Sequence, residues 1–153
     1  MNPTQPTFHD LFADAFARYL AVRPTGIQFP QGGLCASLSA GILACRPART
    51  LYQNKKPVCR SLDGIQAIQE GRACASCLLR KTCTPQIYLE LLAGGVPYRL
   101  MLAYSSARNF MLFASRLREK HQPVENAQVI ISVRDRRRWG ELRFISPPPR
   151  PAQ

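Results

Sequence analysis

Residues 87–103 read IYLELLAGGVPYRLMLA, two strand-length apolar runs around Gly94-Gly95. Paired glycines take up positive φ without steric cost, so the stretch predicts a β-hairpin, with Pro97 at an edge or a strand start. Carboxyl-terminal to it, Ser105 or Ser106 is placed to cap a helix running to about Lys120, with Phe110, Phe113, Ala114 and Leu117 on one face. Gln128–Val133 is then β-branched and strand-like, RDRRRWG (134–140) is a turn, and ELRFI (141–145) closes a second hairpin. The final SPPPRPAQ suits a polyproline-type tail.

Working toward the amino terminus, residues 53–86 have few apolar positions and no period, and they hold four of the six cysteines. A packed core cannot organise such a stretch. Residues 32–52, GGLCASLSAGILACRPARTLY, predict one or two strands bent at Gly41. Residues 7–22 place Phe8, Leu11, Phe12, Ala15, Phe16, Tyr19 and Leu20 on one helical stripe, with Thr7 and Asp10 resembling a capping box and Pro24 and Gly26 ending the helix. The expected organisation is an amphipathic helix over 1–26, one domain over 27–146 with a cysteine inset at 53–86, and a tail over 147–153. Helix, strands, inset, hairpin, helix and hairpin make an α+β or mainly β pattern, compatible with a small β-barrel.

The 153 residues suffice for one core, and no apolar run approaches the roughly 20 residues that span a bilayer. The net charge is +12; residues 23–153 carry 20 basic against 7 acidic side chains, so the amino-terminal stripe is set apart from the basic remainder. So large a surplus repels itself unless an anion sits against it, which makes nucleic acid the first partner to consider and an anionic membrane the second; the expected partner is nucleic acid, with no membrane. The amino terminus lacks a basic stretch followed by an uninterrupted apolar one, so a cytoplasmic location with reduced thiols is expected.

Cys59, Cys74, Cys77 and Cys83 follow the spacing C-x14-C-x2-C-x5-C. Two residues between Cys74 and Cys77 let one tight turn present both sulfurs to one ion, and two further thiolates complete a tetrahedron. The expected cofactor is structural zinc, because four thiolates leave no open position for catalysis. An iron–sulfur cluster uses the same ligands, but nothing else in the chain suggests redox work. Cys35 and Cys45 stand in an apolar stretch and read as small buried hydrophobes.

The ordered set Cys59-Arg-Ser-Leu-Asp-Gly64, Cys74-Ala-Ser-Cys77 and Cys83, followed by the strand pair, by Ser106, Asn109 and Phe110, and by the VIISV strand, resembles single-stranded-DNA-binding proteins of bacteriophages and mobile elements. The resemblance covers roughly residues 50–146. It implies an OB-like barrel carrying a zinc-knot inset, acting on single-stranded DNA in the cytoplasm of a bacterial cell, in association with the nucleoid.

Non-specific single-strand binding needs cations for phosphates and aromatic faces for bases. Candidates are Tyr52, Lys55, Lys56 and Arg60; Arg72, Arg80 and Lys81 among the cysteines; Arg99 and Arg108; and Arg134, Arg136, Arg137, Arg138 and Trp139, which form a hairpin tip able to clamp a strand. Tyr98 and Tyr104 read as core rather than stacking residues. An enzyme is disfavoured: His9 and His121 lie far apart, there is no Gly-rich phosphate loop, and the acids are scattered singly. The alternative function is a small zinc-stabilised subunit of a larger nucleoprotein complex, in RNA-guided defence or conjugation, docking through Phe8, Phe12, Phe16 and Tyr19. RNA remains a possible ligand in either case.

Overall fold

The computed structural model describes residues 18–68 and 73–149. They form β1 (Ala21–Arg23), β2 (Gly26–Gln28), β3 (Leu34–Cys35), β4 (Ser37–Gln53), β5 (Lys56–Ser61), β6 (Thr84–Ala93), β7 (Val96–Ala103), one helix α1 (Tyr104–Glu119), β8 (Gln128–Asp135) and β9 (Gly140–Ile145). The fold is mainly β with one described helix. Both predicted hairpins form: Gly94 and Gly95 have φ of 58° and 77° between β6 and β7, which pair antiparallel from Ala93↔Val96 to Gln86↔Ala103.

β4 organises the large sheet, whose order is β7-β6-β4-β8-β9, with β5 beside the carboxyl-terminal part of β4. Ser37–Gly41 of β4 pairs with β8, Gly41–Thr50 with β6, and Arg49–Gln53 with β5. The register shifts between Ile42 and Ala44, one residue past the glycine where a bend was expected. Among the described residues no β7–β9 ladder closes this sheet into a barrel. A second sheet, β1-β2-β3, adds an element that the sequence did not suggest.

Residues 18–23 touch both edges of the large sheet. The Leu20 amide donates to the Arg99 carbonyl at 2.9 Å and the Arg99 amide to the Arg18 carbonyl at 3.0 Å, along the outer side of β7. A Cβ on Gly140 would strike the Arg23 carbonyl, so β1 passes directly against the start of β9. The helix expected over 7–22 therefore does not continue through these residues, and its earlier part lies outside the described residues. An unsatisfied sheet edge offers Arg18 and Leu20 backbone partners, Leu20 is buried in the core, and Pro24 disfavours helical geometry at Arg23.

The core lies between the large sheet and α1. Leu89, Leu91, Leu100, Leu102, Ile131 and Leu142 meet Phe110, Phe113 and Leu117 of the helix, and each fully buried large side chain contributes about 1.5–3 kcal/mol. The rings of Phe110 and Phe144 meet edge-on with centroids 5.2 Å apart. α1 has the predicted apolar face but not the predicted serine cap: Ala103 precedes it without a side-chain cap, while buried Ser106 accepts the Leu142 amide at 3.0 Å. That serine joins helix to sheet instead of closing the helix end.

Candidate metal centre and nucleic-acid interface

The inset is shorter than expected because both of its ends are strand. Asn54 and Lys55, with φ of 52° and 63°, turn β4 into β5, and Thr84 already belongs to β6. Cys59 is carried on β5 opposite Leu51. Beyond it, the Asp63 carboxylate accepts the amides of Ile65 and Gln66 at 2.8 and 3.0 Å and the Ser61 hydroxyl at 3.0 Å. Ser61 Oγ in turn accepts the Gly64 amide, and Gly64 has a φ of 74°, a conformation suited to glycine. This turn sends the chain back, so that the Cys74 amide donates to Ile65 at 2.7 Å and Gln66 bridges to Ala73. Two short 3-10 turns, Cys74–Ser76 and Arg80–Thr82, then place Cys74, Cys77 and Cys83.

All four sulfur-bearing residues line one cavity of about 220 Å³, together with Arg49 and Arg80. Each is half-buried and each is a free thiol. Burial pushes the Cys83 thiol up, the neighbouring Cys77, Cys59 and Cys74 add to this electrostatically, and Arg49 opposes it. Among the described residues no three Cys, His, Asp or Glu side chains stand in a finished metal-holding group: the thiols share a cavity wall without closing on a point. The donor set itself, four unpaired sulfurs with two arginines beside them, fits a soft divalent ion. Cys35 and Cys45 pack against the core, and burial raises both thiols, with Glu125 adding at Cys45.

Tyr52, Lys55 and Lys56 are exposed around the β4–β5 turn, Arg60 is half-buried on β5, and Arg80 and Lys81 are exposed on the second 3-10 turn. Arg72 lies outside the described residues. Arg49, which sequence reading missed, reaches the Arg80 carbonyl at 3.5 Å and joins this group; only strand pairing reveals it, since 31 residues separate the two. Arg99 is half-buried opposite Glu90, and Arg108 is exposed on α1.

Arg134, Arg136, Arg137, Arg138 and Trp139 lie at the β8–β9 tip, all exposed. β8 runs antiparallel to the first five residues of β4, so this tip and the inset stand at opposite ends of β4. The structure thus gathers the basic candidates into two groups rather than one. Arg136 is engaged, its guanidinium 3.4 Å from the buried Glu141 carboxylate, which also takes the Asn109 amide at 3.3 Å. Burial drives the Glu141 carboxyl upward, but hydrogen bonds from Ser105, Asn109 and Arg136 outweigh it and hold the group below its ordinary value. Arg137 and Arg138 form the turn itself, the Arg137 amide bonding Asp135 at 2.6 Å.

Tyr98 is core as expected, its ring 5.4 Å from that of Phe29 and its hydroxyl accepting the Gln31 amide at 2.7 Å. Tyr104 contradicts the same expectation: it is 77% exposed, because the strand-to-helix junction turns its side chain away from the sheet. Phe8, Phe12 and Phe16 lie outside the described residues. Tyr19, expected on a partner-binding helix, is half-buried at the β7 edge, where burial raises its hydroxyl pKa and Arg60 and Arg99 oppose the rise. Among the described residues no helix is long and apolar enough to cross a membrane. No protein-family model, curated protein or solved structure matches the chain.

Proposed function

We propose that the chain is a zinc-stabilised binder of single-stranded nucleic acid, with single-stranded DNA as its preferred ligand, built on an OB-like sheet. One observation carries the reading. Taken as five strands, β4, β6, β7, β8 and β9 have the spatial order third-second-first-fourth-fifth, with the helix between third and fourth. A partly open five-stranded Greek-key sheet of this kind holds oligonucleotides on its second and third strands and in the loops after its first and fourth. Those two loops are where this chain carries its inset cations and its arginine tip.

Cys59, Cys74, Cys77 and Cys83 would hold zinc, whose contribution is a cross-link joining β5, the two 3-10 turns and the start of β6 in place of a core. Around it Arg49, Arg80 and Lys81 supply phosphate contacts from a fixed base, and at the other end of β4 Arg134, Arg137 and Arg138 do the same. Trp139, 47% exposed, and Tyr52, 41% exposed, offer faces to bases. The role is binding rather than catalysis.

The test is a salt-dependent titration of single-stranded DNA, duplex DNA and RNA of equal length. Single strands should bind more tightly than duplex at about 0.15 M salt, with affinity falling linearly on logarithmic axes. Tighter duplex binding would overturn the reading.

A further inference from the structure

Tyr104 is the first residue of α1, yet its φ is 50°, a left-handed conformation that a bulky side chain adopts only at a cost. The residue is 77% exposed, so this conformation is not repaid by burial. Ser106, two residues on, is buried and tied to β9 through Leu142, which fixes the helix start while Tyr104 projects from it.

The ladder places this ring. Ala103, the preceding residue, pairs with Gln86, whose side-chain amide reaches the Tyr52 hydroxyl at 3.4 Å. Gln86 is thus both the ladder partner of the residue before Tyr104 and the hydrogen-bond partner of the exposed Tyr52, at the end of the sheet where β6 emerges from the inset three residues after Cys83. Arg108 is exposed one helical turn beyond Tyr104. An aromatic face with a cation one turn away suits a base and its phosphate in an unpaired strand.

We propose that Tyr104 is a base-stacking residue for single-stranded nucleic acid, held outward by a strained backbone, with Tyr52 as the second ring of the same platform. This rests on the single-strand reading above and adds to it the place where bases lie. The strain gives the proposal a signature that a surface tyrosine with a merely structural role would lack. Glycine adopts this φ freely, so Tyr104→Gly relieves the backbone while removing the ring.

The experiment pairs thermal unfolding with anisotropy titration of a labelled oligothymidylate, across a salt series, on the full chain. Tyr104→Gly should raise Tm by roughly 2–4 °C and weaken binding roughly 5- to 150-fold with an unchanged salt slope, since stacking releases no counterion. Tyr104→Trp should keep the parent affinity, with emission from the new indole changing on binding. A parent that binds and a Tyr104→Gly variant that binds equally well would overturn the stacking role alone. Weaker binding with a lowered Tm would overturn it too, because structural damage then explains the loss. A parent that binds no single strand overturns the wider reading with it.

Discussion

Two carboxylates show how single residues position the candidate surfaces. Asp63 is held below its ordinary 3.8 by the Gln66 and Ile65 amides, and Glu141 below its ordinary 4.5 by bonds that outweigh its burial. Because the folded values are the lower ones, the stability these groups contribute is complete above their ordinary values and drains as pH falls through the folded ones. Glu141→Gln keeps a group for Asn109 but loses the charged partner of Arg136. It should cost about 1–3 kcal/mol at pH 7 and flatten the acid limb of a Tm-against-pH curve; an unchanged limb would refute the role given to Glu141. The identity of these acids was visible in the sequence, but their partners were not: 32 residues separate Asn109 from Glu141, and only the fold brings them together. Tyr98 and Tyr104 make the same point. Alternation along a strand places Tyr98 inside, whereas Tyr104 sits where the period changes from two to 3.6 and neither pattern governs.

At the scale of elements, the inset and the arginine tip carry separable predictions. Protein purified without chelators should contain one zinc per chain by elemental analysis, and Cys77→Ser should lose it together with ordered structure in the inset. Asp63→Ala should also lower zinc occupancy, since it removes the turn that returns Cys74 toward Cys59; full occupancy would show that the turn is dispensable. At the tip, Arg137→Ala with Arg138→Ala should reduce the slope of log affinity against log salt by roughly 1.4, at about 0.7 per phosphate contact on single strands. Arg136→Ala should instead act mainly on stability, because its guanidinium answers Glu141. The two hairpins were legible because turn glycines or polar turn residues separate apolar runs. β5 was not: KPVCRS has no alternation, and its existence depends on the ladder with β4, which composition does not record. The apolar stripe likewise predicted helix through Val22, where the edge of β7 instead draws the chain into extended pairing.

Over the whole molecule, the mainly β class, the single described helix and much of the core followed from periodicity, while the second sheet and the open edges between β7 and β9 came from contacts remote in sequence. Residues 18–23 belong to the domain for that reason. Removing residues 1–22 should cost about 2–5 kcal/mol through loss of buried Leu20, together with the two amide bonds along β7, as read by chemical denaturation. Stability equal to the parent would return the whole stripe to a partner-docking role.

The central place of β4 also sets the order in which the protein can be made. Ser37 pairs with Ser132, so the first five residues of the strand wait for a neighbour that lies, for Ser37, beyond 94 intervening residues. The rest of it, Gly41–Gln53, finds β5 and β6 much sooner. During synthesis this early segment, SLSAG, is an open edge of small and apolar residues, a template for wrong pairing. Folding dominated by such distant pairings proceeds in milliseconds to seconds rather than microseconds. A chain cut before residue 128 would keep that edge bare, so its fate is aggregation even though most of its strands have already met their partners.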